Sequence, residues 1–384
     1  MESDETKVEE RGKKRSFRER FIEPLVIPAL ALLTSLIIVA IVIIFTADTP
    51  VTGLKKLADG YWGIIEGALL RPTGLVNTLV ATAPLVLTGL AVAIPFHAGL
   101  FNIGAEGQFM IGALLGALVG IYLDLPPVIH VFASLAAGIG GGMLWGAIPG
   151  ILKAWLHSHE VINTIMLNFI AIALVNMVVR NFIKDPNPST VQTLPLADSA
   201  TYGRIPVPGV DSSRLHWGFF IALLVAFLSW YFLFKTTWGY SLRTTGFNPS
   251  AAEYAGIRPK RMYVLAMVLG GGMAGLAGII EVQGLVVPVL PVNFAAGYGF
   301  DAIAVSLLAG NNPLAIIPAA LIFGVLRVGG DFLQMRAGLS VHIVSIFRAL
   351  ILLFVAAPAI VRGIYRLKPE KEGAEIVPQT RWGE

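Results

Sequence analysis

Long uncharged runs separated by short polar clusters set the pattern of this chain. No charged residue occurs from Pro24 to Ala47, and a helix of that length spans about 36 Å, enough for a hydrocarbon layer of roughly 30 Å. Residues 48–71, with Lys55, Lys56, Asp59, Trp62 and Glu66, predict a short interfacial helix on the outer side. From Pro72 to Ala105 there is again no charge, then Glu106 stands alone until Asp124; this reads as two crossings with one buried acid between them. Further apolar runs cover the Gly-rich stretch after Pro127, Val161–Val179, Trp217–Phe234, Met262–Ile280, Asp301 to Leu326, and Ser340–Val361. The pattern predicts an all-α polytopic membrane protein with about ten transmembrane helices.

Several runs are interrupted at membrane depth. Pro95 and Gly99 predict a helix break, since proline removes a backbone donor and clashes with the preceding turn. Broken backbone in a bilayer survives only where protein or a water-filled cavity satisfies it, so broken helices line cavities. Pro288, Pro291 and Gly297 make 282–300 a folded-in segment rather than a full crossing, and Asn311-Asn312-Pro313 divides the next run into a short inward helix and an outward one ending at Arg327, Gly329 and Gly330. Phe101-Asn102 before a short helix is echoed by Phe300-Asp301, and Pro127 through Gly138 by Pro313 through Gly324. The first copy begins outside and the second inside. That is the pattern of an inverted repeat, whose interface usually holds the translocation site.

Composition agrees with the pattern and narrows it. The 384 residues are 55% hydrophobic and only 14% charged, with a mean hydropathy of +0.74, far from soluble-domain averages. With no cysteine, disulfides, thiolate metal sites and a cysteine nucleophile are excluded. The net charge of +4 is concentrated in termini and loops and does not point to nucleic acid. Most of the 28 Lys and Arg residues fall in segments that the alternation of crossings puts on one side, which the positive-inside rule makes the cytoplasm. The expected organisation is a cytoplasmic tail over 1–23, a transmembrane domain over 24–361 with a cytoplasmic loop at 236–261, and a basic cytoplasmic tail over 362–384. Residues 180–215, rich in Pro, Ser, Thr and Asp, form the largest outer loop.

The candidate chemistry is sparse. His157, His159 and Glu160 invite a zinc reading, but histidines two apart do not share a helix face and no third ligand site is signalled. Gly270-x-Gly272-x-x-Gly275 fits a dinucleotide fingerprint, yet no strand precedes it; close helix packing explains these glycines better. No Gly-x-x-x-x-Gly-Lys-Ser/Thr loop exists, so the chain has no such ATP site of its own and a pump built on it must borrow an ATPase. No catalytic Ser, His and acid set presents itself. Glu106, Asp301, Arg327 and Arg348 are membrane-depth or membrane-edge charges, whose default reading is functional and whose alternative is a structural ion pair or helix cap. Asn102, Glu106 and Gln108 have the groups to hydrogen-bond sugar hydroxyls or a base edge. The rival classes are an ion-coupled secondary carrier or channel, and an intramembrane enzyme.

The polar stretch Trp238 to Ile257 stands out against this background. Asn248 suits an N-cap, Pro249 a first helical position, and Gly256 the left-handed residue that ends a helix. A helix of about two turns follows, flanked by Arg243, Arg258, Lys260 and Arg261. An ordinary capped connector fits this stretch, and so does a docking loop. The pattern of Gly239, Arg243, Gly246, Asn248, Ala251, Ala252, Gly256 and Ile257 resembles the coupling loop of ABC-importer permeases for monosaccharides, nucleosides and branched-chain amino acids. Phe101-Asn-Ile-Gly-Ala-Glu-Gly-Gln108 and Glu160 through Ala171 are similar to the nucleoside branch. The resemblance implies a type II-like importer fold and a transport subunit that is not itself an enzyme. It implies ATPase coupling through Arg243, Gly246, Asn248, Pro249, Ala252, Glu253 and Gly256, and a translocation path along Asn102, Glu106, Gln108, Asn168 and Asp301. It implies no cofactor or metal on this chain, with ATP and Mg bound by a partner ABC ATPase. The other implied partners are a second, paralogous permease subunit, an extracytoplasmic substrate-binding lipoprotein and the bilayer of a bacterial plasma membrane, with both termini cytoplasmic.

Overall fold

The computed structural model describes residues 23–367, apart from 187–189, 212, 295–296 and 341. Of the expected tails over 1–23 and 362–384, residues 1–22 and 368–384 lie outside the described residues. The order is α1 (Glu23–Phe45), α2 (Pro50–Ile65) closing in a π-turn (Glu66–Leu70), α3 (Pro72–His97), α4 (Ala105–Tyr122), α5 (Pro127–Leu156), α6 (Glu160–Asn181), α7 (Trp217–Lys235), α8 (Thr237–Phe247), α9 (Pro249–Tyr254), α10 (Pro259–Gly284), α11 (Tyr298–Leu308), α12 (Ile316–Ala337), α13 (His342–Ala356) and α14 (Pro358–Ile364). Among the described residues there is no strand, only isolated bridges such as Gln192 to Pro291 that pin the two long loops together. Among the described residues, eight helices, α1, α3 to α7, α10 and α12, are long and apolar enough to cross a membrane. The pair α13 and α14, apolar but bent by 91° where Pro358 begins the second helix, is a broken span or a re-entrant segment, so the described residues hold eight or nine crossings against the about ten expected. The eleven-residue α11 is apolar but too short to span alone.

Helices α3, α4 and α10 form the buried centre, while α1, α6 and α7 present most of their surface outward. The centre is tight because glycine backbones meet. A Cβ on Gly275 of α10 would lie 2.2 Å from the Gly138 carbonyl oxygen of α5, and one on Gly271 at the same distance from that of Gly142. The Gly270, Gly272 and Gly275 motif is therefore a packing surface, with Gly270 itself against the Ala91 carbonyl of α3.

The inverted arrangement is visible in the helices. Helices α3 and α10 are each 26 residues long and each begins on a proline. They run in opposite directions, since Gly270, in the first half of α10, meets Ala91 and Pro95 near the end of α3. Each is followed by a non-helical re-entry and then a shorter helix, α4 or α11. The two short helices start side by side, for a Cβ on Gly299 would come within 2.2 Å of the Glu106 nitrogen. From there α4 reaches the end of the bundle where Gly120 packs on Leu196 and Ala200, whereas α11 reaches the opposite end, where His97 contacts Asn311.

Element boundaries differ from the sequence reading in places. Helix α12 runs on through Arg327, Gly329 and Gly330 to Ala337, because those glycines fit close neighbours: Gly329 faces Ile64 and Gly330 faces Val344. The loop at 236–261 holds two helices, α8 before the expected α9. Thr236 caps α8 by accepting the Gly239 amide at 3.1 Å.

Candidate functional site: the junction of two broken helices

Helix α3 ends just after Pro95, and Gly99 at φ 76° turns the chain back into the bundle. Asn102 then lies beside the upper turns of α3 and donates to the Ala91 carbonyl at 3.0 Å. Its second amide proton goes to Gln108 Oε1 at 2.9 Å, and Gln108 Nε2 returns a bond to Asn102 Oδ1 at 3.2 Å. The same Oδ1 accepts the Gly104 amide at 3.1 Å. Asn168 reaches in from α6: its Oδ1 accepts from Gly107 N and its Nδ2 donates to the Ile103 carbonyl, both at 2.8 Å. These side chains supply the partners that the unwound backbone loses by leaving the helix. All three amides are buried.

Glu106 joins the two halves. Its carboxylate accepts the amides of Gly297 at 2.9 Å and Gly299 at 2.6 Å, so an acid on the first turn of α4 caps the start of α11. Two helix N-termini, each carrying partial positive charge, meet here, and a carboxylate between them offsets both.

Asp301 lies one turn into α11. It pairs with Arg348 of α13 and, at 3.6 Å, with Arg327 of α12. The Arg327 guanidinium sits 3.9 Å from the ring centroid of Tyr298, a cation–π contact. The Tyr298 hydroxyl donates to Glu281 at 3.2 Å. Phe109 completes an aromatic group, stacked on Phe294 and tilted against Tyr298, both at 5.6 Å between centroids. The structure thus brings Asn102, Glu106, Gln108 and Asn168 into one cluster and sets Asp301 beside it in an ionic one.

Glu281, Tyr298 and Arg327 complete the second cluster, and Glu281 has no place in the sequence reading. The signal was present: Glu281 is the lone charge between Arg261 and Asp301. It falls just past the expected end of a crossing at Ile280, where an acid passes for an ordinary boundary residue, whereas α10 continues to Gly284.

The loop residues divide by direction. Asn248 Oδ1 accepts the Ala251 amide at 3.0 Å, Pro249 opens α9, and Gly256 takes φ 79°. Ala252 is fully buried, holding α9 down, while Pro249, Glu253 and Tyr254 are exposed. Gly246 is buried, and a Cβ there would lie 2.3 Å from the His97 carbonyl. The Arg243 guanidinium stands 5.1 Å from the Phe234 ring centroid.

Residues 74–356 match the family described as the branched-chain amino acid transport system permease component. The chain belongs to that family. Within it, the chain is 36% identical over 351 residues to the guanosine ABC transporter permease protein NupP of Bacillus subtilis, covering 91% of this chain and 98% of that one. It is 33% identical over 334 residues to the glucose ABC transporter permease protein TsgB13 of Haloferax volcanii, covering 85% and 86%. To the nucleoside ABC transporter permease protein NupB of Lactococcus lactis it is 32% identical over 342 residues, covering 87% and 91%. As a permease component the chain is a transport subunit.

Proposed function

We propose that this permease is the membrane-spanning subunit of an ATP-driven importer that passes a nucleoside inward. The observation that carries the substrate is the 36% identity to a guanosine permease over nearly the whole of both chains, supported by the nucleoside permease of Lactococcus. The glucose permease of Haloferax keeps a monosaccharide as the second reading; both ligands share a ring of hydroxyls.

ATP hydrolysis belongs to a separate ATPase chain, since this sequence has no phosphate-binding loop of the Gly-Lys-Ser/Thr type. The exposed side of α9, with Glu253 and Tyr254, is the docking face for that chain, and Arg243, Gly246 and Ala252 hold the helix in place beneath it. A second permease chain of the same family completes the pathway. In Bacillus subtilis a second guanosine permease protein, NupQ, is also similar to this chain, at 28% identity over 259 residues. An extracytoplasmic binding protein delivers the ligand, and both termini lie in the cytoplasm of a bacterial cell.

Asn102, Glu106, Gln108, Asn168 and Asp301 border the path. Every amide proton of Asn102 is already engaged, so these groups act in passage by exchanging internal bonds for bonds to ligand hydroxyls or base edges. A neutral nucleoside needs no fixed counter-charge, which fits acids that are capped or paired.

The test is to extract the intact complex from its native membrane with its binding protein and identify the ligand released on denaturation. A purine or pyrimidine nucleoside supports the proposal. A hexose as the dominant ligand overturns the substrate, and a permease that purifies without any ATPase overturns the machine.

A further inference from the structure

His97, which no role above absorbs, sits where the α3 break, the 309–313 turn and the α7–α8 corner meet. It is the last residue of α3. Its Nε2 lies 3.1 Å from the carbonyl oxygen of Asn311, and because a carbonyl only accepts, the ring donates. Asn311, at φ 57°, is the turn between α11 and α12, and its own side chain accepts from Ser306 at 2.8 Å. The imidazole therefore ties the end of the first broken unit to the end of the second. Its ring also meets Phe234 of α7 edge-on, 5.7 Å between centroids, and Phe234 is the ring beside which Arg243 of α8 stands.

Beneath the ring, backbone touches backbone. The close approach of Gly246 to the His97 carbonyl extends to Ala98 and Gly99, and a Cβ on Gly99 would lie 3.3 Å from Gly246 Cα. A separate apolar cluster of Ala98, Leu100, Leu242, Met262, Ala266 and Met267 binds α8 to the α3 break and to the start of α10. Any displacement of α8 and α9 consequently pushes on the α3 break through contacts with no slack, because close-packed interiors transmit strain.

We propose that His97 is a positioning residue for coupling: it makes the α3 break and the 309–313 turn move as one when the loop at 236–257 is displaced. Without its donor the loop would still act on α3, while α11 would no longer follow, and the two helices that meet at Glu106 would not separate in concert. This rests on the ABC permease reading. A wild-type complex with no ATP-driven uptake would remove that reading first, whereas the proposal fails on the variants alone.

The experiment measures uptake and ATP hydrolysis together, in the reconstituted complex with its ATPase, second permease and binding protein. His97→Ala should leave assembly intact and ATP hydrolysis within about twofold, while transported ligand per ATP falls about tenfold, the scale of one lost hydrogen bond at a coupled site. His97→Gln, which keeps an Nε2–H donor, should restore most of that ratio. Gly246→Ala, which presses on the same carbonyl from the loop side, should lower the ratio as well, and it carries the test together with His97→Gln if the alanine variant does not reach the membrane. An unchanged ratio in the variants that assemble, proportional loss of both activities, or a glutamine variant whose ratio falls as far as that of Gly246→Ala overturns the proposal.

Discussion

Glu106 holds the amide of Gly299 at 2.6 Å, and the two residues belong to opposite halves of the molecule. A carboxylate capping a foreign helix loses both bonds on truncation to alanine and keeps one acceptor as glutamine. Glu106→Ala is expected to destabilise the detergent-solubilised protein by about 2 kcal/mol and Glu106→Gln by about half of that. Thermal unfolding followed by tryptophan fluorescence reads both. Equal melting of all three proteins would show that the cap contributes nothing.

The path reading has its own consequence. Because the chain has no cysteine, single cysteines at Ile103 and Phe300 report access without background. They should react with a small water-soluble thiol reagent at rates that differ between the ATP-locked and nucleotide-free complexes, since thiolates form and react only where water reaches them. Ile41, on an outward-facing helix and 47% exposed, should stay inert in the bilayer. Reactivity at both test sites as low as at Ile41 in every nucleotide state contradicts the path.

Much of this junction was legible from the chain, and the reasons are local. Pro95 with Gly99, and Asn311-Asn312-Pro313, announce breaks because their backbone chemistry does not depend on neighbours. Asn248-Pro249 announces α9 for the same reason. What could not be read was pairing across distance. That Glu106 caps α11, that Asn168 satisfies Gly107, and that Arg348 meets Asp301 are facts of tertiary contact, and no spacing along the sequence encodes them. Helix α8 escaped notice because Gly239 and Gly246 lower its helix propensity, while the tight approaches of Gly239 to the end of α7 and of Gly246 to α3 hold it helical.

The glycine contacts can be separated from glycine content. Gly275→Val would drive a branched side chain into the Gly138 carbonyl at 2.2 Å and into Gly142, and should prevent accumulation of folded protein. Gly140, two residues from Gly138, has nothing within 4 Å of its Cβ position, so Gly140→Ala should be tolerated and gain up to about 1 kcal/mol of helix propensity. Expression and size-exclusion profiles distinguish the two; a monodisperse Gly275→Val protein contradicts the packing.

At the other end of the bundle, His216 precedes α7 and accepts the Gly218 amide on Nδ1 at 3.2 Å, a bond that requires the neutral ring. The residue stacks on Tyr202 at 5.0 Å beside a cavity of about 200 Å³. Burial first, then the charges of Arg214 and Arg204, push it from 6.5 down to about 4. The unfolded chain therefore takes this proton at higher pH than the folded one. Its contribution is present above pH 6.5 and is lost as pH falls towards 4, by up to roughly 3 kcal/mol. The melting temperature should drop between about pH 6.5 and pH 4, and His216→Gln should flatten that dependence. An unchanged slope in the variant contradicts the assignment.

The most direct measurement of the central claim is uptake of radiolabelled guanosine into proteoliposomes holding the permease pair, its ATPase and the binding protein. ATP should drive accumulation with no ion gradient imposed, an excess of unlabelled glucose should not compete, and the charge-reversed Glu253→Arg complex, inserted normally, should fail to accumulate it. Accumulation driven by a proton gradient without ATP, or ATP-driven uptake at the wild-type level with Arg at position 253, would contradict the account.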